Sequence, residues 1–137
     1  DLVVSCSHFR LPQHRNRIEL AAPLNALDAA TLAQARERWR ELFAAAPHPW
    51  VTLVIGGSTA IHRFTPELAA TMAREVRAAA EAIDGKVFAI TSPRTGDAAA
   101  DAVAAELGDR HHLHRWRAGE SDNPYYGFLA LADVIVV

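Results

Sequence analysis

The chain has 137 residues, half of them apolar and 22% charged, with a formal net charge of -2 at pH 7. That length suits one domain with a sizeable core. The charge balance excludes a broad electrostatic grip on nucleic acid, because no basic stripe emerges; Arg36, Arg38 and Arg40 are interleaved with Glu37 and Glu41, as on a solvated helix face.

Cys6 is the only cysteine, so no internal disulfide can form and a reducing, cytoplasmic setting is expected. No apolar run approaches a membrane span, and no signal-peptide pattern is readable. The chain opens on Asp1 and stops inside the apolar run Val134–Val137, where a strand needs ladder partners. The expectation is a domain cut from a longer protein. Residues 1–26 would be a lead-in from a missing N-terminal domain, and residues 27–137 the domain proper, truncated at its C-terminus.

Periodicity and punctuation predict alternating strands and helices. Leu2–Ser5 reads as a short strand and Ile18–Leu20 as another, with Pro12 and Pro23 interrupting the segments between. A helix is predicted from Asp28, its N-cap, to Ala45, with Leu32, Ala35, Trp39, Leu42, Phe43 and Ala46 at helical spacing. Pro47 and Pro49 stop it. Val51–Ile55 reads as a central strand covered on both faces.

The next helix starts with Thr65 as N-cap and Pro66 at its first position. Leu68, Met72, Val76, Ala79 and Ile83 are its expected buried stripe, and Gly85 suits a left-handed C-terminal position. Val87–Thr91 is a strand followed by the loop Ser92–Gly96. A helix over Asp97–Leu107 turns Val103, Ala104 and Leu107 inward and ends at Gly108. His112–Trp116 reads as a strand near a sheet edge. Asn123-Pro124 opens a short helix to about Ala130, and Ala132–Val137 is the last strand. Such alternation predicts an α/β fold, a Rossmann-like parallel sheet with helices on both faces.

In that fold the loops leaving the strand carboxyl ends share one rim, where α/β proteins hold phosphates. The rim loops are Gly56–Phe64, Ser92–Gly96 and Arg117–Tyr125. Gly56, Gly57, Ser58 and Thr59 allow close backbone approach to a diphosphate and add hydroxyl donors; they also suit a tight turn needing positive φ. Ser92, Arg94 and Thr95 add hydroxyls and one guanidinium shaped for phosphate oxygens. Glu120 and Asn123 are placed to read a base or sugar hydroxyl and Tyr125 to stack, while Asp122 or Asn123 also suits a helix cap. His62, between the glycine turn and the helix cap, is the candidate acid/base residue, with packing on Phe64 as the alternative. His112 and His114 share a strand face without a spaced third ligand, so no metal site is expected. Cys6 lacks a base nearby in sequence, and Ser58 lacks the nucleophile-elbow pattern.

The runs Val54-Ile-Gly-Gly-Ser-Thr, His62-Arg-Phe, Thr91-Ser-Pro-Arg-Thr and Gly119-Glu-Ser-Asp-Asn-Pro-Tyr-Tyr-Gly-Phe-Leu-Ala-Leu-Ala-Asp-Val-Ile-Val-Val resemble the mitochondrial-fission (elongated-mitochondria) family. So does the opening Asp1-Leu-Val-Val with His8 and Leu11-Pro12. Bacterial members carry the label nucleoside-diphosphate-sugar epimerase. The resemblance implies a GT-B-like organisation, two Rossmann-like domains facing across a cleft, with this chain matching the donor-binding C-terminal one. It implies a nucleoside-diphosphate sugar as substrate rather than any cofactor, with Gly56–Ser58 and Arg94 at the diphosphate and Glu120–Tyr125 at the nucleoside. Pro93 stands where a second basic residue is common in the family. Epimerase and glycosyltransferase are both compatible with this reading; an NAD-dependent epimerase lacks its Gly-x-Gly-x-x-Gly turn and Tyr-x-x-x-Lys pair. The alternative is a non-catalytic scaffold, the role implied for plant relatives.

Overall fold

The computed structural model describes residues 1–22 and 27–137, so the break expected at Pro23 and the boundary expected after residue 26 lie outside the described residues. β1 (Val3–Cys6) and β2 (Arg17–Leu20) pair in parallel as a separate two-stranded sheet, joined through a 3-10 turn at Ser7–Phe9. Leu2, Val3, Val4 and Ile18 of this unit are exposed.

The remaining elements are α1 (Ala29–Ala44), β3 (Trp50–Val54), α2 (Pro66–Glu81), β4 (Lys86–Ile90), α3 (Asp97–Leu107), β5 (His112–His114), α4 (Tyr125–Leu131) and β6 (Val134–Val136). Their four strands form one parallel sheet in the order β5-β4-β3-β6. This is the Rossmann-like α/β arrangement predicted. The chain winds outward from β3 to β5 through α2 and α3, which pack together, then returns to β6 through α4, which packs on α1. Crossovers of one hand running in opposite directions put their helices on opposite faces of the sheet.

The caps follow the predicted chemistry. Asp28 accepts from the Thr31 amide at 2.7 Å and Thr65 from the Leu68 amide at 3.2 Å, with Pro66 at the helix start. Gly108, at a φ of 58°, ends α3.

β4 shows the period of two that both-face burial requires. Val87 and Ala89 meet Ala69, Ala73, Ala80, Ala99, Val103 and Leu107 on the α2–α3 face. Phe88 and Ile90 meet Phe43, Ala46, Phe128 and Leu131 on the α1–α4 face. Phe43 stacks on Phe88 with ring centroids 3.7 Å apart, and Phe128 meets Phe43 edge-on at 5.3 Å. The polar Thr52 in the central strand is buried and donates to the Phe128 carbonyl at 3.0 Å, which satisfies its hydroxyl.

Three sequence expectations are corrected. The buried stripe of α2 is alanine-based (Ala69, Ala73 and Ala80), with Met72 and Val76 partly buried. Leu68 is 46% exposed, because the stripe is rotated by one residue to bring small side chains against α3 and the sheet, and Ile83, 53% exposed, lies beyond the helix end at Glu81. The left-handed residue after α2 is Asp84, at a φ of 56°, not Gly85. Gly85 is needed for a different reason: a Cβ there would lie 2.6 Å from the Pro49 carbonyl oxygen. Finally, β5 stops at His114 rather than Trp116.

Candidate functional site

Because the strands run parallel, the loops after β3, β4 and β5 share one rim. Those after β3 and β4 lead to helices on one face of the sheet, and that after β5 leads to the other. A crevice opens where such connections diverge. Here it has a volume of about 520 Å³, lined by Val54–Gly56, Ile90–Arg94, Trp116, Asn123, Tyr125 and Tyr126. A neighbouring hollow of about 340 Å³ shares Thr91–Pro93 and Trp116 and adds the start of α3, Arg115 and Arg117. Pro93 and Trp116 therefore border both spaces.

The first two loops are fastened to each other. The buried Thr95 hydroxyl lies 2.7 Å from the Gly56 carbonyl oxygen, 3.1 Å from that of Ile55, and accepts from the Ser92 amide at 2.9 Å. Gly57 sits against Arg94: a Cβ at Gly57 would be 1.9 Å from the Arg94 carbonyl oxygen. Neither Gly56 nor Gly57 has a positive φ, so the turn-geometry reading of this pair is corrected to one of close approach. Gly56 faces open space, as a backbone contact for a ligand requires.

The predicted hydroxyls divide between roles. Ser58 accepts from the Phe64 amide at 2.9 Å and Thr59 from the His62 amide at 3.1 Å, so both close their own loop and line neither hollow. His62 is exposed and also lies outside both. Ser92 lines both, with its hydroxyl 3.2 Å from that of Thr95. Arg94 lines the larger crevice, is exposed and makes no ion pair among the described residues. No lining residue of that crevice is acidic.

On the nucleoside side the structure separates the predicted residues. Glu120 faces away from the crevice, with its carboxylate 3.1 Å from His114 Nε2 and hydrogen-bonded by the Asn123 amide. Burial acts against its charge, but hydrogen bonds from Asn123, the Arg117 backbone and His114 outweigh it and hold the carboxyl below its ordinary range. Asn123 lines the crevice yet is used at both ends, since its oxygen accepts from the Tyr125 amide at 2.9 Å. The predicted side-chain cap is thereby corrected: Pro124 is the N-cap of α4 and carries no capping side chain, and Asn123, one residue earlier, makes a local turn bond to the first helical amide. Tyr125 lines the crevice and is 40% exposed.

His112 and His114 do share a strand face, but His112 lies beside Phe88 and Phe128 at centroid distances of 6.0 and 5.8 Å, while His114 engages Glu120. Among the described residues, no three histidine, cysteine or acidic side chains are grouped to hold a metal ion.

Trp116 is the lining residue that strand assignment hid. Its signal in the sequence is a large aromatic between two arginines, which a solvated edge strand gives no reason to keep. Pro93 and Tyr126 belong to the same apolar wall.

Fold and rim together define a Rossmann-like α/β domain with a ligand-sized crevice at the carboxyl edge of its sheet. The family model for Mitochondrial fission ELM1 matches residues 1–137, and the chain belongs to that family. It is 30% identical over 128 residues to the Mitochondrial fission protein ELM1 of Arabidopsis thaliana, which covers 93% of this chain and 30% of that protein. The chain thus spans under a third of the length of this curated relative. No solved structure matches it. Among the described residues, no helix is long and apolar enough to cross a membrane.

Proposed function

We propose that the crevice holds the nucleoside diphosphate of a nucleoside-diphosphate sugar, and that the chain is the donor-binding domain of an epimerase or a GT-B-type glycosyltransferase. One observation carries this reading: an unpaired guanidinium, Arg94, stands on a largely apolar crevice with no carboxylate in its lining, at the carboxyl edge of a parallel sheet. Such a site accepts an anion with an aromatic body. Arg94, Ser92 and the Gly56 backbone face the diphosphate, and Tyr125 with Asn123 borders the nucleoside. Gly57, Ser58, Thr59, Thr95 and Glu120 hold the loops. With Arg94 and backbone donors offsetting the leaving diphosphate, the chemistry needs no metal. Under this reading β1–β2 is the lead-in from an acceptor-side domain.

The second reading is a non-catalytic scaffold, favoured by the fission name of the plant relative and by the apolar side chains exposed on β1 and β2. A nucleotide panel separates the two. Under the donor reading, UDP, GDP or a UDP-sugar at tens of times its dissociation constant raises Tm by about 6–9 °C, and Arg94→Ala removes the shift. Unchanged melting across the panel leaves the scaffold reading.

A further inference from the structure

Trp116 is 36% exposed, yet its backbone is fixed from both directions along the chain. Its peptide N–H donates to the Thr91 hydroxyl at 2.8 Å, and the Thr91 amide donates to the His114 carbonyl at 3.1 Å. This carries the β4–β5 ladder one side-chain bond past the end of β5. Before it, Arg115 pairs with Asp101 of α3 at 2.6 Å; after it, the turn at Arg117 is closed by the Glu120 amide at 3.3 Å. The part of this large apolar residue that stays open borders the crevice, while its backbone is immobilised. It offers a planar partner an aromatic surface whose backbone is already ordered, which lowers the cost of association.

The polar groups around it point the same way. Thr91 is occupied by the Trp116 amide, the Ser92 hydroxyl lies against Thr95, and Asn123 is engaged at both ends. In the larger crevice no carboxylate lines the wall, and the side-chain amide there, that of Asn123, already bonds Glu120 and the Tyr125 backbone.

We propose that Trp116 is the stacking platform for the nucleobase, so that the site recognises the π-face of a nucleotide and tolerates any base. This rests on the nucleotide reading above and names its specificity-determining residue. Purine nucleotides bind somewhat better than pyrimidine ones through their larger ring area, and the four bases fall within about tenfold of one another, since stacking is sequence-tolerant.

The test titrates ADP, GDP, UDP and CDP into the full chain by calorimetry, following tryptophan emission in parallel. In the wild type, emission is quenched as each nucleotide binds. Trp116→Ala weakens all four by about tenfold or more, while its unliganded circular dichroism stays that of the folded wild type. Trp116→Phe keeps most of the affinity and loses the quenching. A Trp116→Ala variant that binds like the wild type, or a preference above a hundredfold for one base, overturns the stacking assignment and leaves the nucleotide reading standing. A wild type that binds none of the four overturns both.

Discussion

The two faces of the four-stranded sheet solve the same packing problem with opposite materials. Against α2 and α3 the sheet meets Ala69, Ala73, Ala80 and Ala99, and small side chains let those helices approach closely. Against α1 and α4 it meets the rings of Phe43, Phe88 and Phe128, with Trp39 and Trp50 packed beside them. That second face needs one small residue of its own: a Cβ on Gly127 would lie 2.3 Å from the Trp39 ring. β4 serves both faces, with Val87 and Ala89 turned one way and Phe88 and Ile90 the other. Close-packed interiors penalise any change of volume, so the two faces are vulnerable in opposite directions.

The aromatic face breaks on truncation. Phe43 is fully buried, stacked on Phe88 and edge-on to Trp50 and Phe128. Phe43→Ala removes the centre of that cluster and costs about 3–5 kcal/mol in urea unfolding, a large share of a typical domain's stability. The alanine face breaks on enlargement. Ala73 is fully buried between α2 and its neighbours, so Ala73→Leu costs about 1–3 kcal/mol. Ala44→Leu, at an exposed position of α1, stays within about 0.5 kcal/mol of wild type and controls for helix propensity. Equal costs for Ala73→Leu and Ala44→Leu would remove the contrast between the faces.

Much of this was legible in the sequence, and most of the misses share a cause. Element type and order follow from apolar period and caps, which are local properties; Asp28, Thr65, Pro66 and Gly108 do what their chemistry predicts. Ile83 satisfies a helical period, but α2 ends at Glu81 and leaves it in the turn that follows. What failed elsewhere depended on residues distant in sequence. The sequence around Gly85 speaks only for its own backbone, whereas its constraint comes from Pro49. At the site, Arg94 and Gly56 were placed on the crevice by loop position alone. Glu120 was placed there too, and nothing local announces that His114 and Asn123 turn it away. Trp116 continues the strand pattern locally, and the partner that fixes it past the strand end, Thr91, lies 25 residues earlier.

The smallest expected effect tests the two faces through adjacent residues, His111 and His112. The fully buried His111 side chain accepts the Val87 amide at Nδ1, 3.1 Å away, which places its proton on Nε2 toward Glu81 at 3.3 Å. Burial lowers its pKa from the ordinary 6.5, the hydrogen bond and charge of Glu81 oppose that, and Arg110 and Lys86 reinforce it. On the other face burial beside Phe88 and Phe128 lowers the pKa of His112, helped by the charges of His114 and Lys86. Both folded pKa values lie below the unfolded one. Their contribution is therefore complete above about pH 6.5 and is lost as pH falls toward the depressed folded values, since the unfolded chain takes up protons first. Asp28 and Asp133, lowered chiefly by the Thr31 and Trp50 amides, act only below the ordinary carboxylate range and leave this window clear. His111→Asn keeps an acceptor for the Val87 amide while removing one titration, so its urea-unfolding free energy falls less between pH 7.5 and pH 5 than that of the wild type. His112→Gln removes the other part, and the double variant is the flattest of all. An unchanged slope in His111→Asn would mean that the buried ring stays neutral at no energetic cost, contrary to its enclosure beneath α2.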